Sequence, residues 1–299
     1  MPPAEPAGAV GAGNDPVPGS LGATVPIRPM TFRELLDTPF ALIQSTIRPL
    51  AGVGATLLVA AELLVAGVTA GVIRLSDDDD AAVTWTVILT TLVCLWLVRV
   101  TMRGITTAIG TAAIAGTPIT WQTAVRRFGA RLGPQLLFGS LFTLVGLAVL
   151  ALGTVLIIGL PFALVWLAWL RANRFVAVPV IFAEGASHRV AVARSKLLVY
   201  GTQWPTAWLW LCTRALLMLT ALPLIAIPWF LSDFSGTHRW AVIVLATAAV
   251  LLLVVFGEIV ESATRAVVYV DRRCRREGMD IRLPAPAPVP LGEGARWLN

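Results

Sequence analysis

Six apolar runs, each long enough to cross a lipid bilayer as a helix, dominate this sequence. They lie at residues 51–73, 83–104, 135–158, 161–182, 205–231 and 240–262. A bilayer has a hydrocarbon core about 30 Å thick, which roughly 20 helical residues can cross. Because lipid offers the backbone no hydrogen-bond partner, such runs form helices, and the second and sixth should continue to about residues 115 and 275, since no proline interrupts them. The sequence predicts an all-α integral membrane bundle of six transmembrane helices.

The composition agrees with lipid as the main solvent of the chain. Charged residues make up 13% of the sequence, whereas soluble proteins carry about 25%. The net charge of +6 is divided among short segments between the apolar runs, so no nucleic-acid-binding face is expected. Residues 1–27 and 283–299 are poor in large apolar side chains and are predicted to be disordered tails. The membrane domain is therefore predicted at residues 28–282.

The distribution of basic residues predicts the orientation, because Lys and Arg concentrate on the cytoplasmic side of membrane proteins. Four basic segments fall on one side of a six-helix topology: 28–48, 126–131, 189–196 and 272–276. The acidic run at 77–80 falls on the other side and is explained more simply as a topology marker than as a cation site. We expect a multi-pass protein of a bacterial plasma membrane with both termini in the cytoplasm and anionic lipid headgroups near its basic segments.

A polar-capped amphipathic stretch precedes each pair of apolar runs, which indicates a possible threefold repeat of helix pairs. These stretches begin at Thr31, Thr120 and Ser187. In the first, Thr31 and Glu34 have the spacing of a capping box. Such helices can lie on the cytoplasmic side in the headgroup layer and fix the depth of the bundle. Equally, they can be connectors that carry topology-determining arginines.

Charged residues near the centre of the apolar runs form the first candidate site. An unpaired charge there costs at least about 2.5–3.5 kcal/mol. At about 1.5 Å per helical residue, Glu62, Arg171 and Arg214 lie near the bilayer midplane. We expect Glu62 to pair with Arg171 or Arg214, with Asn173 and Arg174 nearby, in an intramembrane polar cluster.

A second candidate cluster lies closer to the cytoplasmic boundary. Arg99 and Arg103 share one face of the second helix, and Glu258, Glu261 and Arg265 share one face of the sixth, because their spacings are three and four. One interpretation is interhelical pairing that fixes helix register. The other is a polar path or a site for an anionic headgroup.

The sequence lacks the motifs of the common phosphate-binding, hydrolase and metalloprotease sites. The sequence contains no phosphate-binding G-x-x-x-x-G-K-[ST] loop, no G-x-S-x-G nucleophile elbow and no H-E-x-x-H metal pair. Cys94, Cys212 and Cys274 lack metal-ligand spacing. We therefore expect no cofactor, no metal and no enzymatic activity.

Three blocks of sequence resemble the bacterial glycerophosphoryl diester phosphodiesterase membrane domain family and related actinobacterial membrane proteins. They are Arg-Pro-Met-Thr-Phe-Arg-Glu-Leu-Leu-Asp at 28–37, Trp-Leu-Arg-Ala-Asn-Arg-Phe-Val-Ala-Val-Pro at 169–179 with the following stretch 187–196, and Tyr-Val-Asp-Arg-Arg-Cys-Arg-Arg-Glu-Gly-Met-Asp-Ile at 269–281. The resemblance covers residues 28–282 and implies a multi-helix membrane module. The family's separate catalytic barrel uses a His-Arg-Gly element, which neither His188 nor His238 provides here. No catalytic residue is carried over.

Two functions remain compatible with the sequence. The first is a non-enzymatic scaffold or subunit of a membrane or envelope complex, with a membrane-protein partner. The second is a transporter or lipid-handling protein that uses the intramembrane Glu and Arg residues. A polar cavity at those residues would favour the second.

Overall fold

The computed structural model describes residues 25–75, 79–155, 159–235 and 239–279. All regular structure in these ranges is helical, and six segments are long and apolar enough to cross a membrane. They are Ile47–Leu75, Ala81–Ile114, Leu132–Val155, Leu160–Ala183, Gln203–Ile227 and Val242–Glu277. The predicted six-span, all-α membrane bundle is therefore confirmed. Residues 77 and 78 of the acidic run, residues 1–24 of the first predicted tail and the whole tail at 283–299 lie outside the described residues.

The helices follow the order that the predicted repeat requires. They are α1 (Phe32–Ser45), α2 (Ile47–Leu75), α3 (Asp80–Ile114), α4 (Trp121–Ala130), α5 (Leu132–Val155), α6 (Leu160–Ala172), α7 (Ala177–Ala183), α8 (His188–Val199), α9 (Gln203–Ser235) and α10 (Arg239–Glu277). The short helices α1, α4 and α8 each precede a pair of spans. The ends of α3 and α10 agree with the predicted extensions, whereas superposition of the three units stays a prediction.

The predicted capping box defines the start of α1. The Thr31 hydroxyl accepts a hydrogen bond from the Glu34 backbone N–H at 3.3 Å, and the Glu34 carboxylate accepts one from the Thr31 N–H at 2.7 Å. Arg28 pairs with the same carboxylate at 2.5 Å. The hydrogen bonds from Arg28 and Thr31 lower the pKa of Glu34 to about 2.

The core of the molecule lies at one end of the bundle, where α3 and α10 pack along each other. Here α1 and α7 pack against both helices, α4 packs against α3 and α8 packs against α10, and we call this the amphipathic end. Residues 257–272 of α10 are all buried. Towards the other end, apolar side chains such as Leu63, Leu144 and Phe162 are exposed, as expected for helices that face lipid.

The fourth span is not the continuous helix that its apolar run indicates. It divides into α6 and α7, and the backbone between them turns through residues 173–176. Pro179 explains the break, because a proline ring clashes with the carbonyl four residues earlier in a regular helix. The Asn173 carbonyl accepts a hydrogen bond from Ser195 of α8 instead. The break brings α7 against α3 and α8 at the amphipathic end.

Candidate functional site

Glu258 of α10 binds two arginines of α3. Its carboxylate lies 2.8 Å from Arg99 and 2.8 Å from Arg103. The Arg103 contact is a two-point fork, with Nε and Nη2 donating to the two carboxylate oxygens at 2.9 Å each. The Glu258 side chain is only 4% exposed. A buried carboxylate with two such partners is well compensated for the loss of water.

Glu261, one turn further along α10, binds three arginines. Its carboxylate contacts Arg214 of α9 and Arg265 of its own helix, and lies 3.8 Å from Arg103. The Glu261 side chain is 2% exposed. The structure thus brings Arg214, from the first candidate set, together with the whole second set.

Arg171 of α6 completes the group without an acidic partner among the described residues. Its guanidinium lies over the rings of Phe142, at 4.4 Å, and Trp210, at 5.1 Å. Its Nε is buried and has no hydrogen-bond partner. A side chain on Gly146 of α5 would approach the Arg171 guanidinium to 3.3 Å, so glycine at this position leaves it room. Aromatic faces attract cations, but they do not neutralise them.

These side chains form one connected group, which we call the arginine cluster. It comprises Arg99, Arg103, Arg171, Arg214, Arg265, Glu258 and Glu261. Five arginines against two glutamates leave a formal excess of three positive charges. Nε and Nη1 of Arg265 are also buried without a hydrogen-bond partner. Buried donors without acceptors and an uncompensated charge are both costly, and a nearby anion would offset the excess charge.

A cavity of about 150 Å³ lies beside the cluster. Its polar wall is formed by Arg99, Arg214 and Glu258, and its other walls are apolar. The Arg99 and Arg214 side chains are 27% and 29% exposed, so an entering molecule can reach them. Met218, on its rim, is exposed in the middle of the α9 span. The cavity therefore opens on the flank of the bundle, between α9 and α10.

No known family, curated protein or solved structure matches this chain. The resemblance to the glycerophosphoryl diester phosphodiesterase membrane domain family stays a prediction, and the site is interpreted from its own geometry.

The predicted pairing of Glu62 with Arg171 or Arg214 is wrong. Glu62 accepts a hydrogen bond from Thr247 of α10 at 2.7 Å, while Arg214 pairs with Glu261. The helix that carries Glu62, α2, packs mainly against α3 and α10, whereas α9 packs against α10 and α6. Equal depth in the membrane did not therefore bring these charges together, because their helices are not neighbours.

Arg174 lies apart from the cluster and lines a second cavity of about 210 Å³ with Phe138, Phe142 and His188. Nδ1 of His188 is buried and has no hydrogen-bond partner. Burial, with Arg174 and Arg189 nearby, lowers the His188 pKa. Sequence reasoning weighed His188 only against the His-Arg-Gly element and rejected it. It did not select Phe142 or Trp210, because aromatic residues in apolar runs carry no signal that distinguishes a site from ordinary packing.

Proposed function

We propose that this membrane protein binds a phosphate-bearing anion through the arginine cluster and acts as a transporter or lipid-handling protein. The observation that supports this proposal is the charge balance of the cluster. Glu258 and Glu261 form ion pairs with four arginines, and the fifth, Arg171, has no acidic partner in the described structure. The proposal assigns binding, not catalysis, to the site.

The donor set favours phosphate over a carboxylate. Guanidinium groups bind both through paired N–H donors, but a phosphate group offers more acceptor oxygens and up to two negative charges. An excess of three positive charges suits that group. The ligand can be a lipid headgroup, whose chains would lie along the apolar wall formed by Leu217, Leu253 and Val254, or free phosphate.

The scaffold function predicts a different charge balance. Ion pairs that only fix helix register need equal numbers of charges, and a surplus buried arginine would weaken the bundle without benefit. The positive excess and the cavity beside Arg99 and Arg214 therefore support anion binding over a purely structural role. A partner protein at the amphipathic helices is compatible with either function.

Binding measurements on the full chain in neutral detergent test the proposal with two probes. Inorganic phosphate is titrated by calorimetry, and retention of phosphatidylglycerol against phosphatidylcholine is measured by native mass spectrometry. Arg171→Gln should weaken binding of the recognised probe by about tenfold, because it removes a positive charge that no described carboxylate balances and so lowers the attraction of the cluster for an anion. Arg126→Gln is the matched control, because Arg126 is exposed on α4 away from the cluster.

The outcomes distinguish the sources of the anion. Saturable phosphate binding indicates a free anion, and selective retention of phosphatidylglycerol indicates a headgroup. Thermal unfolding gives a second readout, because a ligand that binds only the folded state raises its melting temperature. The probe should raise the melting temperature of the wild type more than that of Arg171→Gln. The proposal fails if neither probe binds, or if Arg126→Gln weakens binding as much as Arg171→Gln.

A further inference from the structure

The second cavity, between α5, the α6–α7 break and the start of α8, has the chemistry of an anion site. Its volume is about 210 Å³, and Arg174 and His188 are its polar lining. Arg174 makes no ion pair with any described residue, and His188 Nδ1 is buried without a hydrogen-bond partner. His188 is also the first residue of α8, where the helix dipole adds to the attraction for an anion. Two polar side chains thus line one cavity without an acidic partner among the described residues.

One aromatic ring is shared by this cavity and the arginine cluster. Phe142 lines the cavity. The guanidinium carbons of Arg171, Arg103 and Arg265 lie 4.4, 5.8 and 5.8 Å from its ring centroid. The ring stacks on Phe138 with a centroid separation of 5.3 Å. Phe142 therefore lies against the cavity and against three arginines of the cluster.

Rotation of the Phe142 side chain would break no backbone hydrogen bond of α5. The glycines on either side of Phe142 in α5, Gly139 and Gly146, add no side-chain bulk beside it, and Gly146 faces Arg171. α5 packs mainly against α6 and only lightly against α3, α7 and α8. Phe142 thus lies on a helix with fewer close neighbours than α10, whose residues 257–272 are all buried.

We propose that the Arg174–His188 cavity is a second site for the same phosphate-bearing anion, and that Phe142 is the barrier between it and the arginine cluster. This inference rests on the proposed function and deepens it. The anion enters between α9 and α10, binds the cluster, and passes Phe142 to reach Arg174 at the amphipathic end. Each step exchanges one set of guanidinium donors for another, so the charge is never left without partners.

Flux through the full chain in phosphatidylcholine liposomes tests the barrier. Two cargoes are followed, radiolabelled inorganic phosphate and fluorescent phosphatidylglycerol. Phe142→Ala should increase the movement of the cargo that the cluster binds, and adding Arg174→Gln should reverse the increase. Phe162→Ala is the matched control, because Phe162 lies on the lipid-facing surface of α6. It should leave the flux unchanged.

Binding stoichiometry tests the second site separately. The wild type should bind two equivalents of the recognised probe and Arg174→Gln one, whereas Arg189→Gln, an exposed neighbour of His188, should keep two. If Phe142→Ala does not fold, Phe142→Leu takes its place in the flux assay. One equivalent in the wild type, or unchanged flux in a folded Phe142 variant, overturns this inference and leaves the proposed function intact. If neither probe binds the wild type, both this inference and the proposed function fail.

Discussion

Glu261 is the single residue on which most of the buried arginine charge depends. It is the acidic partner of Arg214 and Arg265 and also lies near Arg103. Glu258, by contrast, has its own two partners on α3. Removal of either carboxylate leaves guanidinium groups without an acidic partner. Loss of Glu261 affects Arg214 and Arg265, whereas after loss of Glu258 the nearby Glu261 still lies 3.8 Å from Arg103.

Glu261→Gln should therefore lower the free energy of unfolding by about 3–5 kcal/mol, the usual cost of breaking a buried ion pair from one side. Glu62→Gln serves as the control, because Glu62 accepts a single hydrogen bond, from Thr247, among the described residues and should lose about 0.5–1.5 kcal/mol, the net worth of a hydrogen bond. Denaturant unfolding in mild detergent, followed by circular dichroism, compares the two. Equal losses would contradict the central role of Glu261.

Glu34 gives a pH-dependent test at a residue outside the spans. Its pKa falls from 4.5 to about 2 because Arg28 and Thr31 donate hydrogen bonds to its ionised form. A lowered pKa stabilises the folded state above the unfolded value of 4.5, and this contribution is lost as the pH falls towards 2. The wild type should lose more thermal stability than Glu34→Gln between pH 6 and pH 3. Parallel pH profiles would show that the capping box contributes nothing measurable.

At the scale of helices, close approaches between neighbours depend on glycine at defined positions. A side chain on Gly104 of α3 would overlap the ring of Phe128, which α4 places against it. Added bulk at Gly67 of α2 meets nothing within 4 Å. The contact at Gly104 thus determines how closely α4 can lie on α3.

Gly104→Val should destabilise the protein by about 1–3 kcal/mol, the usual cost of overpacking. Adding Phe128→Ala should recover part of that loss, because it vacates the space that the new side chain needs. Gly67→Val should have little effect, since its side chain points into open space. Thermal unfolding of the three variants measures these losses of stability. An equal loss for Gly67→Val and Gly104→Val would refute the packing explanation.

At the scale of the whole molecule, the bundle is asymmetric along its axis. The buried polar and charged residues, including the arginine cluster and Asp271, concentrate towards the amphipathic end. The other end consists of helices whose exposed side chains are mainly apolar. The basic segments at 126–131 and 189–196 also lie at the amphipathic end, which supports a cytoplasmic location for it.

Reporter fusions test this orientation. An alkaline phosphatase fused after residue 78, between α2 and α3, should be active, because that enzyme matures only outside the cytoplasm. A green fluorescent protein fused after residue 299 should fluoresce, because it folds in the cytoplasm. Exchanging the two reporters at the two positions is the control. The inverted pattern would place the amphipathic end outside and disprove the predicted topology.

The sequence alone determined the spans, the short helices before each pair, the Thr31 capping box and the faces that carry Arg99, Arg103, Glu258 and Glu261. These features depend on hydropathy and on helical period, which are local properties of the chain. They required no knowledge of which helices touch.

The tertiary structure alone decided which charges meet. Arg214 binds Glu261 and not Glu62 because α9 packs against α10, and Arg171 rests on Phe142 and Trp210 because α5, α6 and α9 converge there. Which helices contact each other depends on packing between segments that are far apart in sequence. The hydropathy of an apolar run is compatible with several different neighbouring helices. The excess positive charge of the cluster follows from that choice and not from the pattern of any one helix.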